Sequence, residues 1–183
     1  MYYAFIKDNK INGSGQCRCL NEDIQNVGIS EEVFNNIDQY IWDGESIILN
    51  PNYDVEQLAK AKEQKYTEAN TKAFKYLESG NAVYEFEEGK SIEATDGNIA
   101  KLGLALTKLI LQQDYESTIE WNTKENENVQ LNAGQLQVIT DGLDAIQTKV
   151  WTVKFPRYNA SIAQAETIEE VNAIEIDYSI EEQ

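Results

Sequence analysis

The chain has 183 residues, and its 15 Lys and Arg stand against 32 Asp and Glu, a formal charge of -17 with no histidine anywhere. So acidic a chain repels phosphate, and no local cluster of Lys and Arg offsets this, which argues against general nucleic-acid binding. Without histidine, the commonest general base and zinc ligand is missing, as is every Ser-His-Asp or Cys-His arrangement, so any catalyst is confined to carboxylate, Lys or Tyr chemistry.

A hydrophobic content of 42% with only 2 Pro and 10 Gly is the composition of a folded chain of one domain or two small ones. Strong net charge favours solubility and a partner that supplies the opposite field. Cys17 and Cys19 have no third Cys or His to join them in a zinc site. If they lie on a strand, both thiols share a face and a bridge between them is strained, so two reduced, half-buried thiols are expected. The apolar run Met1 to Ile6 meets Lys7-Asp8 at once and is too short for a signal-peptide core, so no export is expected. The stretch Leu102 to Leu111, interrupted by Lys108, reaches about half of the ~20 residues of a membrane span, so a soluble protein is expected.

In chain order, residues 2–20 alternate like strands on either side of a turn at Asp8-Asn9-Lys10, with Gly13 and Gly15 marking a bend or bulge. Ser30 with Glu31 and Glu32 opens a short helix whose apolar side is Val33, Phe34 and Ile37. Gln39 to Trp42 and Ser46 to Leu49 flank Asp43-Gly44-Glu45 as a hairpin. After Pro51, Asp54 is placed to cap a long helix, with Gln57 completing a box, running to about Ser79 and stopping at Gly80. Acid-first pairs at four residues, Glu56 with Lys60 and Glu68 with Lys72, support its solvated face. Its apolar seam, Val55, Ala59, Lys62, Tyr66, Ala69, Ala73 and Tyr76, is thin. That seam suits either a helix-to-helix assembly contact or light packing on the same chain.

Beyond Gly80, strands over Ala82 to Phe86 and Ser91 to Ala94 flank a turn at Glu87-Glu88-Gly89. Ile99, Leu102, Leu106, Leu109 and Ile110 mark the inner face of a helix over residues 97–114. A second hairpin joins Ser117 to Trp121 with Asn128 to Leu131 through a polar loop, and Asn132 caps the next helix. Its core face is Leu136, Ile139, Leu143, Ile146, Val150 and Val153, and Pro156 predicts an end or bend near Phe155. Thr167-Ile168-Glu169-Glu170 is a capping box for a last short helix.

Candidate chemistry along the chain is sparse. Glu85, Glu87 and Glu88 surround a turn, where a paired-carboxylate mechanism would need a cleft and a fixed separation. Asp96-Gly97-Asn98 and the loop over residues 122–128 carry oxygen ligands but do not match a twelve-residue calcium loop. Gly13-Ser14-Gly15 precedes a strand pattern, whereas a phosphate cradle needs a helix N-terminus. The Tyr and Trp residues sit mostly at core-patterned positions, with Trp121 and Trp151 as anchors of the second module.

The order of the second module, with Thr118-Ile119-Glu120-Trp121-Asn122, then Val129-Gln130-Leu131-Asn132 opening a helix, then Ala165-Glu166-Thr167-Ile168-Glu169-Glu170-Val171-Asn172-Ala173-Ile174, resembles the C-terminal domain of unknown function common in bacteriophage tail and tail-fibre-associated proteins. The likeness covers about residues 54–183, and the opening Met1-Tyr2-Tyr3-Ala4 with Gly15-Gln16-Cys17 is similar to the starts of small phage tail proteins. It implies a structural protein of a phage tail or phage-like particle, at the baseplate or tail-fibre attachment, made in the host cytoplasm and carried in the virion. It supplies no catalytic residue, cofactor or metal. The partners it implies are other tail or baseplate proteins and the tail-fibre protein, with several copies of the chain in the assembly. A tail-fibre assembly chaperone absent from the particle is the alternative, and a carboxylate-based enzyme acting on glycans is the second.

The expected fold class is α+β, with a small hairpin-plus-helix module over residues 1–53, a connecting helix over 54–80, and a C-terminal module of two hairpins and packed helices over 81–183. Lysines concentrate on the connecting helix, whereas from Ala163 onward there are only acids among the charged residues. This polarity suggests head-to-tail docking, so the expected assembly contacts are Val55, Tyr66, Ala73 and Tyr76 on the helix and Glu169, Glu170, Glu181 and Glu182 in the acidic segment.

Overall fold

The computed structural model describes residues 1–179 and shows an α+β protein. The chain divides into two compact units, Met1–Ala59 and the residues from Lys60 onward, with the division inside one long helix.

In the first unit, β1 (Tyr2–Lys7) and β2 (Lys10–Gly15) form the expected hairpin. Asp8 and Asn9 both take positive φ, 50° and 60°, the mirror-image two-residue turn that matches strand twist. The register slips by one between Phe5 and Ile6, so Asn12 is the extra residue of a bulge in β2. A third strand, β3 (Gln25–Ile29), pairs with the other edge of β1, so the sheet order is β2-β1-β3. Cys17 and Cys19 therefore lie in the connection after β2 and not on a strand; both are free thiols, Cys17 exposed and Cys19 half-buried. Asn26 ties this connection to β3, its Oδ1 accepting from the Cys19 N–H at 2.7 Å and its Nδ2 donating to the Cys19 carbonyl at 3.0 Å.

Ser30 caps α1 (Glu31–Asn35) by accepting from the Val33 N–H at 3.2 Å. The Phe34 ring stacks on Tyr2 at 4.6 Å between centroids and lays the helix against the sheet. A 3-10 turn, Ile37–Gln39, leads into the hairpin β4 (Tyr40–Trp42) and β5 (Ile47–Leu49). Its turn is closed by Asp43, whose Oδ1 accepts the N–H groups of Glu45 and Ser46 at 2.8 and 2.7 Å; these bonds to the charged form lower its pKa.

The long helix α2 (Tyr53–Glu78) starts two residues earlier than a cap at Asp54 predicts. The Glu56 N–H bonds to the Asn52 carbonyl at 2.9 Å, so Asp54 lies inside the first turn, where its charge suits the helix dipole, and does not cap. Glu56 accepts from Asn50 Nδ2 at 2.9 Å, whereas Glu68 pairs with Lys72 at 2.8 Å and with Lys65 at 3.0 Å. The stop at Gly80 is as expected, with φ of 75° in the left-handed region that glycine tolerates.

In the second unit, β6 (Val83–Glu87) and β7 (Lys90–Glu93) form one hairpin, and β8 (Thr118–Asn122) and β9 (Asn128–Asn132) the other. Between them α3 (Asp96–Leu111) is capped by Thr95, and α4 (Ala133–Thr148) by an Asn132/Gln135 capping box. The core gathers Ala69, Ala73 and Leu77 of α2 with Leu102, Leu106 and Leu109 of α3 and Leu136, Ile139 and Leu143 of α4. Gly142 is where α4 meets β6: a Cβ there would stand 2.4 Å from the Tyr84 ring. Ile110, expected inward, is exposed because Leu106 and Leu109 take the inward positions of the last turn.

The chain does not break at Pro156. It widens into a π-helical stretch, Lys149–Lys154, and continues as α5 (Phe155–Gln164). The Phe155 N–H bonds to the Val150 carbonyl, five residues back, and proline, which has no N–H to give, sits in the first turn of the new segment. The wide turn also moves the inward face by one residue. Val150 is followed inward by Phe155, Tyr158 and Ile162, so Val153, expected in the core, is 58% exposed. Finally α6 (Ile168–Ala173) carries the expected box, Thr167 Oγ1 accepting from the Glu170 N–H at 3.1 Å.

Candidate functional site

The residues expected to make assembly contacts are mostly occupied within the chain. Ala73 is fully buried in the core of the second unit and offers a partner no surface, which corrects its place among the contacts. Tyr66 and Tyr76 are half-buried and pack against that core, and the Tyr66 hydroxyl donates to the Asn159 carbonyl at 3.5 Å. Val55 is 68% exposed in the first unit, and it and Ala59 are the two members of the seam that stay open. Glu170 is engaged by its own helix start, Oε2 accepting from the N–H groups of Glu166 and Thr167, while Glu169 is exposed. Glu181 and Glu182 lie outside the described residues.

The polarity between the lysines and the acidic C-terminal segment is met inside the second unit. The extended stretch from Ile174 to Ser179 is docked by side-chain donors. Lys72 Nζ donates to the Ile176 carbonyl at 3.4 Å, Lys154 Nζ to the Asp177 carbonyl at 3.3 Å and to the Ser179 carbonyl, and the Tyr158 hydroxyl to the Asp177 carbonyl at 2.6 Å. Farther back, Lys62 Nζ donates to the Ala163 carbonyl at 2.9 Å. In each of these bonds the lysine meets a main-chain carbonyl, so the positive charge is used to hold backbone. Alternating residues Ile176 and Tyr178 point into the core, the latter 3% exposed and stacked edge-on against Tyr158. The Tyr178 hydroxyl is buried without a hydrogen-bond partner among the described residues, and burial pushes its pKa up to about 12. A shallow cavity of about 220 Å³ lies beside this stretch, lined by Lys72, Lys75, Tyr76 and Ser79 of the α2 end together with Asn81 and Tyr178.

The polar loop between β8 and β9 is a clamp. Glu125 accepts from both the N–H and the hydroxyl of Ser91, at 2.9 and 2.5 Å, and the Lys124 N–H bonds back to the Ser91 carbonyl at 3.0 Å. The Ser91 bonds favour the charged carboxylate and hold its pKa down at about 2. A carboxylate so weakly basic is a poor activator for the serine it touches. Lys124 Nζ also reaches the Gly80 carbonyl at 2.7 Å, joining the loop to the end of α2. Glu85, one of the turn acids considered for catalysis, accepts from the Gly89 N–H at 2.7 Å within its own hairpin. Among the described residues no group of three or more Cys, Asp or Glu side chains is placed to hold a metal ion, and no helix is long and apolar enough to cross a membrane.

No family model, curated protein or solved structure matches the chain.

In the second unit Phe74 and Val153 are open, and α3 and α4 carry a further set of exposed apolar side chains. Leu104 and Leu111 are 72% and 78% exposed, Val138 on α4 is 55% exposed, and Tyr115 follows just beyond α3. Sequence reasoning passed over these positions. The signal was there in α3: Leu104 and Leu111 are seven apart and fall outside the inner set Ile99, Leu102, Leu106 and Leu109, so they mark a second apolar line on the same helix. Beside Val138 an apolar pocket of about 190 Å³ is lined by Phe86, Glu87, Gly134, Gln135 and Ile139, smaller than the roughly 300 Å³ of the smallest common ligand sites and matched to a side chain.

Proposed function

We propose that the protein is a structural component of an assembly, working through protein–protein contacts, and that the assembly is a phage tail or phage-like particle, at the baseplate or the tail-fibre attachment. The observation that carries the first part is the set of large apolar side chains left exposed on α3 and α4 of a unit whose core is otherwise closed, because exposed apolar surface of this kind marks interaction sites. The phage placement rests on the likeness of the Trp121 hairpin and the Ala165 to Ile174 segment to phage tail proteins. On this reading the chain is not an enzyme. In its support, Glu85 and Glu125 are both engaged in bonds that shape turns and loops.

The test is sedimentation of purified tails followed by mass spectrometry of the pellet. Stoichiometric recovery of the chain with intact tails supports a structural role. Its presence in assembling lysates and absence from mature particles overturns that role and favours the assembly-chaperone reading.

A further inference from the structure

The face formed by α3 and α4 carries a charge pattern that names its partner. The only basic residues of α3 are Lys101 and Lys108, and both are exposed on either side of Leu104. Neither makes a hydrogen bond or ion pair among the described residues. The only charged residues of α4 are Asp141 and Asp144, also exposed; Asp144 is likewise unpaired among the described residues, and Asp141 accepts a single bond, from Gln137 Nε2 at 2.7 Å. The two helices pack against each other; Lys101, Leu104, Lys108 and Leu111 share the exposed side of α3 by their spacing of three and four, and Val138 and Asp141 that of α4, where the pocket beside Val138 opens between α4 and β6.

We propose that this two-helix face is a self-complementary docking surface whose occupant is a second copy of the chain. A two-fold axis sets α3 of each copy on α4 of the other. Lys101 and Lys108 then meet Asp141 and Asp144 across the contact twice over, and a leucine of α3 enters the pocket beside Val138. An isologous contact needs this reciprocity, and a chain of net charge -17 can otherwise approach its own kind only against repulsion. Each helix has 16 residues and is therefore about 24 Å long, and with axes about 10 Å apart the pair presents roughly 500 Å² per copy. That total of about 1,000 Å² stands at the lower edge of specific interfaces, so the dimer is weak and is completed by the surroundings of the assembly. The inference rests on the protein-contact reading of the preceding section and names the partner for that surface.

The experiment is sedimentation equilibrium of the full chain from about 1 μM to about 1 mM, the range in which so small an interface is populated. Two charge-reversed variants accompany it, Lys101→Glu with Lys108→Glu, and Asp141→Lys with Asp144→Lys. All four positions are exposed, and circular dichroism checks that the variants stay folded. The wild type is expected to dimerise, each variant alone to associate at least tenfold more weakly, and an equimolar mixture of the two to recover a one-to-one heterodimer. Leu104→Ser with Leu111→Ser is expected to abolish association without altering the charges. A wild type that stays monomeric over the whole range overturns the proposal, as does a charge-reversed variant that associates like wild type or a mixture that fails to recover. None of these outcomes decides whether the chain pellets with tails, so the failure of this inference and the failure of the assembly reading are separate results.

Discussion

The two units differ most in what they bury. In the first, only Ala4 and Ile6 are fully inside, two positions apart on the central strand of a three-stranded sheet, and the other apolar residues are half-covered or open. The second encloses a continuous core drawn from α2, both hairpins, α3, α4, α5 and the C-terminal stretch. Stability in the first unit is therefore carried by ladders, a turn and caps, and stability in the second by apolar burial. The same division separates their exposed apolar residues. Leu49 and Val55 in the first unit accompany a core too thin to hide them, whereas Leu104, Leu111 and Val138 stand on helices whose inner faces are already filled.

Cavity-forming substitutions sharpen this contrast the most. Leu143→Ala, at a fully buried position of α4, is expected to cost about 2–5 kcal/mol and to lower the denaturant midpoint of the second unit as a whole. Ile6→Ala is expected to remove amide-exchange protection across β1, β2 and β3 while leaving that of α3 and α4 in place. Equal loss of protection in both units would break the comparison. Next in size is Tyr178→Phe. The buried hydroxyl has no partner among the described residues, so its removal is expected to stabilise the second unit by about 1–3 kcal/mol, read as a raised midpoint with unchanged slope. A destabilised Phe variant would mean that the hydroxyl is bonded in solution. Smaller again is the α4 cap. Asn132→Ala removes an acceptor for the Gln135 N–H, bonded at 3.0 Å, and is expected to cost about 1 kcal/mol.

Much of this was legible in local sequence because the signals are local. The Asn132 cap, the Thr167 capping box, the Asp43-Gly44 turn, the Gly80 stop and the hairpins around Gly89 and the Asn122 to Asn128 loop depend on residues within a few positions of one another. Strand β3 was not legible: Gln25-Asn26-Val27-Gly28-Ile29 has little strand character of its own and exists as a strand because the edge of β1 is open to it. The π-helical turn was half visible. Pro156 announced a disturbance, but the five-residue step from Val150 to Phe155 depends on which aromatic rings find room, here Trp151 between Phe74 and Phe155. At the C-terminus, Ile174, Ile176 and Tyr178 alternate as a buried extended segment does, a signal that the acids Glu175 and Asp177 between them obscure. Of the expected assembly residues, Ala73 was misplaced because a seam of three-and-four spacing does not distinguish a core face from a contact face, while Val55 and Glu169 stay exposed.

The Glu125 clamp provides the finest test of the second unit, because it is a polar device inside a region otherwise held by apolar packing. Glu125 in the folded chain titrates at about 2 against an ordinary 4.5, since the Ser91 hydroxyl and N–H both bond the ionised form. A carboxyl whose folded pKa is depressed binds fewer protons than its unfolded counterpart between those two values, so its contribution to stability is complete above about 4.5 and drains away as the pH falls toward about 2. Comparing wild type with Glu125→Gln by urea unfolding at a series of pH values is expected to give a constant difference near neutrality that shrinks through this acidic window. Ser91→Ala takes away the hydroxyl donor while leaving the N–H, so in that background the shrinkage is expected to start from the same upper limit, to be smaller, and to be complete at a higher pH. A difference that persists unchanged at the acidic end would show that Glu125 holds β7 through packing alone. The clamp would then belong with the core around it, and the distinction between polar and apolar stabilisation would be drawn between the two units and nowhere within the second.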